Sequence, residues 1–242
     1  MRSTKKPTKI SLIIPLFNEE KRVHNLNTIW AYTHKKKYFR ELIIINDGST
    51  DKTLNFLNTF KKMSKCKLIS YRTNKGKGYA IKKGILTARG THVMFMDVDL
   101  STSLRMVDEL IKIIIKTDII VGTRKNNKAV LLQRQSKIRE GMGKFFTFIS
   151  QKMIGVNVSD FTCGFKCFTK KAAKKIFQKQ QINRWAFDAE SLFLAKKYGF
   201  SITELPVEWK NAEGTKVKFP QDIIQSFVDL IRIRLNDIFE KY

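Results

Sequence analysis

Short apolar runs alternate with longer amphipathic segments through the first half of the chain. Near-continuous apolar runs are typical of strands that are buried on both faces, and a 3.6-residue apolar repeat predicts helices. The alternation therefore predicts an α/β fold with a mostly parallel central sheet flanked by helices. The predicted strands span residues 10–15, 41–46, 67–71, 92–97 and 118–122, and the intervening helices span 20–34, 51–63, 78–88 and 103–116.

The rhythm changes after residue 122. The pattern there predicts helices over 131–154, 170–178, 187–198 and 220–241 and strands over 164–169 and 201–210, so amphipathic helices dominate the C-terminal part. We find no repeat or linker, which predicts a single domain over 1–242, with a first half of about 8–124 and a second of about 125–242. No run approaches the roughly eighteen apolar residues that a membrane span needs.

Polar and charged side chains follow four of the predicted strands. Ligands bind at this edge of such sheets, beyond the carboxyl ends of the strands. One such segment is ordinary turn and capping chemistry, but four at one edge predict a binding site. They are Asn18 to Glu20 after the first strand, Asn46 to Asp51 after the second, Asp97 and Asp99 after the fourth, and Arg124 after the fifth.

Asp97 and Asp99 stand two residues apart at the exit of a buried strand. Such carboxylates repel each other unless a cation lies between them, and their hard oxygens suit Mg²⁺ or Mn²⁺ completed by substrate phosphates. Residues 52–96 hold eleven Lys or Arg and no acid, which sets these two aspartates apart. The sequence predicts a divalent cation here.

Two common nucleotide-binding loops are absent from the sequence. No GxxxxGK[ST] loop exists, and Ile81 stands where a GxGxxG motif needs its third glycine, which argues against a P-loop NTPase and a Rossmann dinucleotide site. Gly76 and Gly78 flank Lys77, an arrangement that suits a nucleotide phosphate near Lys77 or simply a glycine-rich turn into a helix.

The chain carries 47 Lys plus Arg against 21 Asp plus Glu, a net charge of +26. Such a charge favours anionic partners, although a lysine-rich composition spread over the surface is an equal explanation. A nucleic-acid binder fits the charge, but the strand-end acids would repel phosphate and no nucleic-acid motif is present. We therefore expect no nucleic-acid partner.

The strand-end residues belong to a longer series of motifs. PLFNEE, NDGSTDKT, NKGKGYAIKKG, DVDLS, GTR, DFTCGFKCF and RWAFDAE follow one another between residues 10 and 219. The series resembles the inverting glycosyltransferases of family 2, which have the GT-A fold, and is most similar to dolichyl-phosphate glucosyltransferases and polyprenyl-phosphate mannose synthases. The resemblance implies that residues 8–124 bind a nucleotide sugar and that 125–242 face the acceptor and a membrane.

The resemblance also implies roles for individual residues. The nucleotide-sugar site would comprise Pro15, Asn18, Glu19, Asp47 on the base, Lys77, and Asp97 near the ribose. The metal ligands would be Asp97, Asp99 and Ser101, and mannose synthases often carry Gln at the Ser101 position. The phosphate-binding residues would be Arg124 and Arg139, and the catalytic set would be Asp99, Asp160 and Arg139.

The charge of the predicted acceptor half, residues 125–242, bears on which of two acceptors the enzyme uses. Residues 124–152 hold eight basic residues, Arg134 and Lys137 among them, and one acid, Glu140. This favours transfer of a hexose, with inversion, to a polyprenyl phosphate, which is already anionic and needs no base. The alternative is a soluble family 2 enzyme that glycosylates a hydroxyl, for which Asp188 or Glu190 would be the base. The resemblance favours UDP-glucose over GDP-mannose as donor.

A lipid acceptor implies membrane contact. The predicted helices 131–154 and 220–241 mix apolar and basic residues, which is typical either of helices in a membrane interface or of ordinary packing. We expect a peripheral protein on the cytoplasmic side of an anionic membrane. The sequence leaves open whether a separate membrane subunit anchors it.

Overall fold

The computed structural model describes residues 7–133, 137–212, 214, 216–218 and 220–242, with the side chains of 137–139 left out. The strands are β1 (Ile10–Leu16), β2 (Phe39–Asp47), β3 (Cys66–Tyr71), β4 (His92–Met96), β5 (Ile119–Thr123), β6 (Val130–Gln133), β7 (Phe165–Thr169), β8 (Ile202–Pro206) and β9 (Glu208–Lys210). The helices are α1 (Asn25–Lys35), α2 (Thr53–Leu57), α3 (Lys77–Thr87), α4 (Arg105–Ile113), α5 (Lys137–Ile154), α6 (Lys170–Lys179), α7 (Phe187–Lys197) and α8 (Gln221–Ile238).

Seven strands form one sheet in the order β3-β2-β1-β4-β7-β5-β8. Every neighbouring pair is parallel except those of β7, which runs antiparallel to β4 and β5. The prediction of a mostly parallel sheet flanked by helices is therefore confirmed. Because the parallel strands end at one edge, the segments that follow β1, β2, β4 and β5 lie together there.

Apolar residues cover both faces of the sheet. Along β1, Ile13 packs with α3 and the C-terminal helices, while Leu12 and Ile14 pack on the opposite face with α1 and α4. All three side chains are fully buried. This explains why the inner strands are apolar at nearly every position rather than at alternate ones.

The prediction was wrong where two segments join a second, small sheet. Residues 131–133 were expected to begin a long helix but lie in β6, and the expected strand 201–210 divides into β8 and β9. Pro206 is the last residue of β8, an edge strand that tolerates proline, and the Val207 N–H still donates to the Thr123 carbonyl at 3.0 Å. The chain then turns, and β9 pairs in parallel with β6.

The small sheet lies against the exit of β4. The backbone N–H of Lys210 donates to the Ser101 carbonyl at 2.8 Å, and Thr102 forms a bridge with Trp209. Its pairing therefore places Trp209 beside the residues that follow β4 and β5. Of the helices in the described ranges, none combines the length and the apolarity needed to cross a bilayer.

The packing of α3 on β1 makes a testable prediction about glycine. A Cβ at Gly84 would lie 2.6 Å from Ile13 Cγ2, whereas a Cβ at Gly141 on α5 would meet nothing within 4 Å. We expect Gly84→Ala to destabilise the fold by about 1–3 kcal/mol through overpacking. Gly141→Ala, the matched control, should stabilise it by up to about 1 kcal/mol because alanine favours helix. Urea denaturation measures both, and a loss of similar size in the two variants would contradict this packing.

Candidate active site

A cleft of about 570 Å³ opens at the carboxyl ends of the strands. Its walls come from the segments after β1, β4 and β5 and from α5, α7, α8 and the chain between β9 and α8. The predicted site residues that line it are Pro15, Glu19, Asp47, Lys77, Asp97, Asp99, Ser101 and Arg124. The sheet therefore brings together side chains that are up to about 110 residues apart in sequence.

The segment after β1 forms one rim of the cleft. Asn18 has a φ of +53°, a left-handed conformation that asparagine tolerates better than most residues. Its Oδ1 accepts from the Thr50 N–H at 2.8 Å, and its own N–H donates to Ser49 Oγ at 3.0 Å. Asn18 therefore joins the loops that follow β1 and β2.

Glu19, the next residue, points into the cleft. Its carboxylate forms an ion pair of 2.6 Å with Arg22. Burial raises the pKa of Glu19 even though Arg22 acts in the opposite direction.

Asp47 organises the turn that leads into α3. Its carboxylate accepts from the backbone N–H groups of Lys75 and Gly76 at 2.8 and 2.9 Å and from Asn74 Nδ2 at 2.8 Å. Burial raises the pKa of Asp47, while the hydrogen bonds from Lys75 and Gly76 act to lower it. Gly76 has a φ of +102°, and a Cβ there would lie 2.4 Å from the Asn183 carbonyl, so only glycine fits the turn. Contact between Asp47 and a nucleotide base stays a prediction.

The turn places Lys77 next to Asp97. Lys77 Nζ lies 2.6 Å from Asp97 Oδ1, and the Asp97 side chain is 38% exposed to the cleft. Gly164 lies against the same carboxylate, because a Cβ at that position would come within 2.1 Å of Asp97 Oδ2. The position of Asp97 thus depends on a lysine from α3 and on a glycine before β7.

Asp99 is oriented by the tight turn that follows it. Leu100 has a φ of +55°, and the backbone N–H of Ser101 donates to Asp99 Oδ1 at 2.9 Å. Asp97, Asp99 and Ser101 all line the cleft. In the described part of the chain, His, Cys, Asp and Glu form no group of three or more arranged for a metal. Two carboxylates are nevertheless the protein ligands that Mg²⁺ commonly uses when substrate phosphates and water complete its shell, so these residues fit such an ion.

Arg124 and Asp160 form a buried, two-point ion pair. Arg124 Nε and Nη2 lie 2.7 and 2.9 Å from the two carboxylate oxygens of Asp160, which is fully buried. Burial alone would raise the pKa of Asp160, but the Arg124 guanidinium holds it well below its usual range. The guanidinium also lies 5.4 Å from the Trp209 ring. Asp160 is therefore placed as the counter-ion beneath Arg124, and its membership of the catalytic set stays a prediction.

A second cation follows Arg124 directly. Lys125 Nζ donates to the Gly143 carbonyl at 2.8 Å and to Thr147 Oγ1 at 2.6 Å, which fastens α5 to the end of β5. Burial lowers the pKa of Lys125. Lys125 lines the cleft and was missed by sequence reasoning, although its place beside Arg124 could have indicated it. The side chain of Arg139 lies outside the described residues.

The two acids of RWAFDAE have different surroundings. Asp188 lines the cleft and forms an ion pair of 2.5 Å with Lys166, a fully buried lysine that sequence reasoning also missed. Burial raises the pKa of Asp188 although Lys166 and Lys77 oppose this. Glu190 accepts from the N–H groups of residues 181 and 182, both at 2.8 Å, and from the Tyr242 hydroxyl at 2.7 Å. Glu190 thus serves the packing of α7 rather than the cleft.

The far end of the cleft is apolar. Phe227 of α8 packs against Phe145 and Phe146 of α5, with ring centroids 5.8 and 5.7 Å apart. Met142 and Ile223 complete this end. Phe145 is also 57% exposed, so the apolar end continues onto the outer surface.

Comparison with known proteins adds independent information. The sequence model of Glycosyl transferase family 2 matches residues 11–177. A dolichyl-phosphate beta-glucosyltransferase of Trichomonas vaginalis is 36% identical over 93% of this chain and 73% of its own length. The dolichyl-phosphate beta-glucosyltransferase of Homo sapiens is 30% identical over 95% of this chain and 76% of its own length.

A solved structure shares the fold. Glucosyl-3-phosphoglycerate synthase from Mycobacterium tuberculosis, solved with Mn²⁺, UDP and glucosyl-3-phosphoglycerate, superimposes with a TM-score of 0.69 at 15% identity. The match covers 93% of this chain and 80% of that one. It confirms the predicted GT-A architecture.

The Arg124–Asp160 pair predicts a dependence of stability on pH. The folded-state pKa of Asp160 is lowered, so its contribution is present above the unfolded-state pKa of about 4 and is lost as the pH falls further. Asp160→Asn should lower the free energy of unfolding at pH 7 by about 3 kcal/mol, because Arg124 loses its counter-ion.

The gap between the wild type and Asp160→Asn should narrow as the pH falls from 5 to 2, which urea denaturation at several pH values measures. Glu109→Gln is the control, since it removes an exposed pair with Lys112 and should change stability by less than about 1 kcal/mol. A gap that stays constant with pH would contradict the assigned ionisation.

Proposed function

The chain belongs to glycosyl transferase family 2 and is a glycosyltransferase, and from this premise we propose that it transfers glucose from UDP-glucose to the phosphate of dolichyl phosphate. The relatives from Trichomonas vaginalis and Homo sapiens carry that acceptor and that sugar in their names. The choice of uridine as the nucleotide of the donor rests on the resemblance seen in the sequence.

One observation carries the proposal. A single cleft has a charged end and an apolar end, and the two are continuous. Lys77 lies near Asp97 and Asp99, and Arg124 lies near Asp97. Lys125, the next residue, binds Gly143 and Thr147 of α5. Beyond them the phenylalanines of α5 and α8 line the same cleft and reach the surface. A prenyl phosphate needs cations for its headgroup and an apolar path for its chain, and this arrangement supplies both.

The donor end suits a nucleoside diphosphate with a divalent cation. Asp97 and Asp99 would hold Mg²⁺ or Mn²⁺, and the mycobacterial synthase of the same fold was solved with Mn²⁺ and UDP. When bound, the cation would neutralise the charge that develops on the leaving diphosphate. Lys77, seated at Asp97, lies where it can contribute a further positive charge.

The acceptor phosphate would attack the anomeric carbon directly. One of its oxygens forms the new bond while the bond between that carbon and the UDP oxygen breaks, which inverts the configuration and releases UDP. The attacking oxygen is already anionic, so the protein needs to position it rather than deprotonate it. We assign this role to Arg124 and Lys125, which line the cleft and are held by Asp160 and by α5.

The alternative acceptor, a hydroxyl, needs a general base. Asp188 and Glu190 were the candidates from sequence. Asp188 forms an ion pair with Lys166. Glu190 already accepts hydrogen bonds from two backbone N–H groups and from the Tyr242 hydroxyl. These contacts favour the phosphate acceptor.

Membrane contact is the second part of the proposal. Ile224, Val228, Ile231, Leu235 and Ile238 recur every three or four residues on α8, and each is between 45 and 67% exposed. We call this set the apolar stripe. The stripe lies on the helix that packs against Phe145 and Phe146 at the apolar end of the cleft.

Basic side chains accompany the apolar stripe. Arg232 and Arg234 are exposed on α8, as are Lys144 and Lys152 on α5. Apolar residues edged by lysine and arginine suit the interface of an anionic bilayer, where the lipid acceptor resides.

The transfer reaction gives the decisive prediction. Incubation of the protein with labelled UDP-glucose, dolichyl phosphate and MnCl₂ should move label into the organic phase. Asp99→Asn should reduce the rate by about a hundredfold or more, because charge stabilisation at the leaving group is lost. Asp118→Asn is the matched control, since Asp118 bonds to Ser201 at the opposite, amino end of the sheet, and it should keep the wild-type rate.

Two outcomes would overturn the proposed reaction. Label that appears only as free glucose or in a water-soluble acceptor would reject dolichyl phosphate. Full transfer by Asp99→Asn in the presence of EDTA would reject the divalent cation.

The apolar stripe predicts vesicle binding. Ile231→Ser with Leu235→Ser should weaken sedimentation with phosphatidylcholine–phosphatidylserine vesicles by about tenfold, since less apolar surface enters the interface. Leu86→Ser is the control, because Leu86 on α3 is exposed to 45%, as is Leu235. If the wild type is instead a dimer that the double variant dissociates, the stripe is a contact between copies of the chain and the membrane assignment is wrong.

A further inference from the structure

We propose that Lys166, acting through Asp188 and through the turn of residues 160–164, is a positioning residue for the donor end of the cleft. This inference rests on the transferase activity proposed above. Lys166 is a positioning residue because it contacts neither end of the cleft itself and reaches it through other groups.

Lys166 occupies the centre of the sheet. It lies on β7, paired with Phe95 of β4 on one side and with Val121 of β5 on the other, and its side chain is fully buried. A buried ammonium group costs several kcal/mol of desolvation. Apolar residues of similar volume often replace buried ion pairs without loss of stability. Folding alone therefore gives little reason for a lysine at this position.

All three N–H groups that a lysine offers have acceptors. Nζ lies 2.9 Å from the Phe161 carbonyl, 2.8 Å from the Cys163 carbonyl and 2.5 Å from Asp188 Oδ1. Two of these acceptors belong to the turn of residues 160–164. That turn begins with Asp160, the counter-ion of Arg124, and ends with Gly164, which contacts Asp97. Lys166 thus holds the backbone that carries both contacts.

The third acceptor connects Lys166 to the donor end. Asp188 interacts electrostatically with Lys77 as well as with Lys166, and Lys77 Nζ lies 2.6 Å from Asp97. Charges therefore alternate in sign from the core to the cleft in the order Lys166, Asp188, Lys77, Asp97. If an uncharged side chain replaced Lys166, the negative charge of Asp188 would lose its main partner. Asp188 would then compete with Asp97 for Lys77.

Three variants test whether Lys166 positions the donor end of the cleft or only stabilises the fold. Lys166→Met leaves Asp188 buried without a partner, so both the melting temperature and kcat should fall. Lys166→Met with Asp188→Asn removes both charges, so the melting temperature should recover most of that loss. Its kcat should nevertheless stay at least about tenfold below the wild type, because the turn and Lys77 have lost their restraints. Asp188→Asn keeps an acceptor for Lys166 but leaves its charge unpaired, so the melting temperature should fall, and UDP-glucose binding should weaken several-fold.

Lys82→Met is the matched control. Lys82 is a partly buried lysine of α3 whose Nζ donates to the Gln180 carbonyl at 2.6 Å, away from the cleft. It should lose some stability and keep the wild-type kcat and UDP-glucose affinity.

Two readouts distinguish the outcomes. The first is kcat and KM for glucosyl transfer, and the second is calorimetric binding of UDP-glucose with MnCl₂, which needs no acceptor. If the double variant regains kcat together with its melting temperature, Lys166 is structural only and the proposal is wrong. If the wild type binds UDP-glucose but transfers nothing to dolichyl phosphate, the proposed acceptor fails. In that case the binding of UDP-glucose still decides the role of Lys166. The double variant should bind UDP-glucose several-fold more weakly than the wild type, and wild-type affinity would mean that Lys166 is structural only.

Discussion

Strands that are apolar on both faces leave polar side chains a single place to meet, the edge where the parallel strands end. Ile13 and its neighbours on β1 are buried by helices on either side, so the chemistry of this segment begins only at its exit. The same constraint acts on β2, β4 and β5. The cleft, its carboxylates and its cations therefore follow from the burial of the sheet.

Beneath that cleft, buried charges are arranged in pairs. Asp160 is fully buried under Arg124, and Lys166 is fully buried against Asp188. Desolvation makes an unpaired charge at either place too costly, so each acid limits where its partner can lie. The net charge of +26 is thus less informative than the few acids, because those acids hold the cations of the cleft in defined positions.

The pairing also relates the two ends of the cleft. The turn of residues 160–164 contacts Arg124 through Asp160 and Asp97 through Gly164. Lys125 fastens α5, which carries the apolar end, to the strand that presents Arg124. If Arg124 and Lys125 hold the acceptor phosphate as proposed, its prenyl chain would run along α5 and α8 toward the exposed apolar stripe.

The sequence by itself determined the alternation of strands and helices, and the edge of the sheet at which the predicted site residues lie, because burial periodicity and strand-end chemistry are local properties. Only the tertiary structure decided that residues 130–133 extend as β6, since their partner β9 lies about 78 residues away. It also decided that Asp188 faces the cleft while Glu190 faces residues 181 and 182, and that Lys166 pairs with Asp188. The physical reason is that a buried charge takes its partner from whichever chain segment packs against it, and that neighbour is set by the fold.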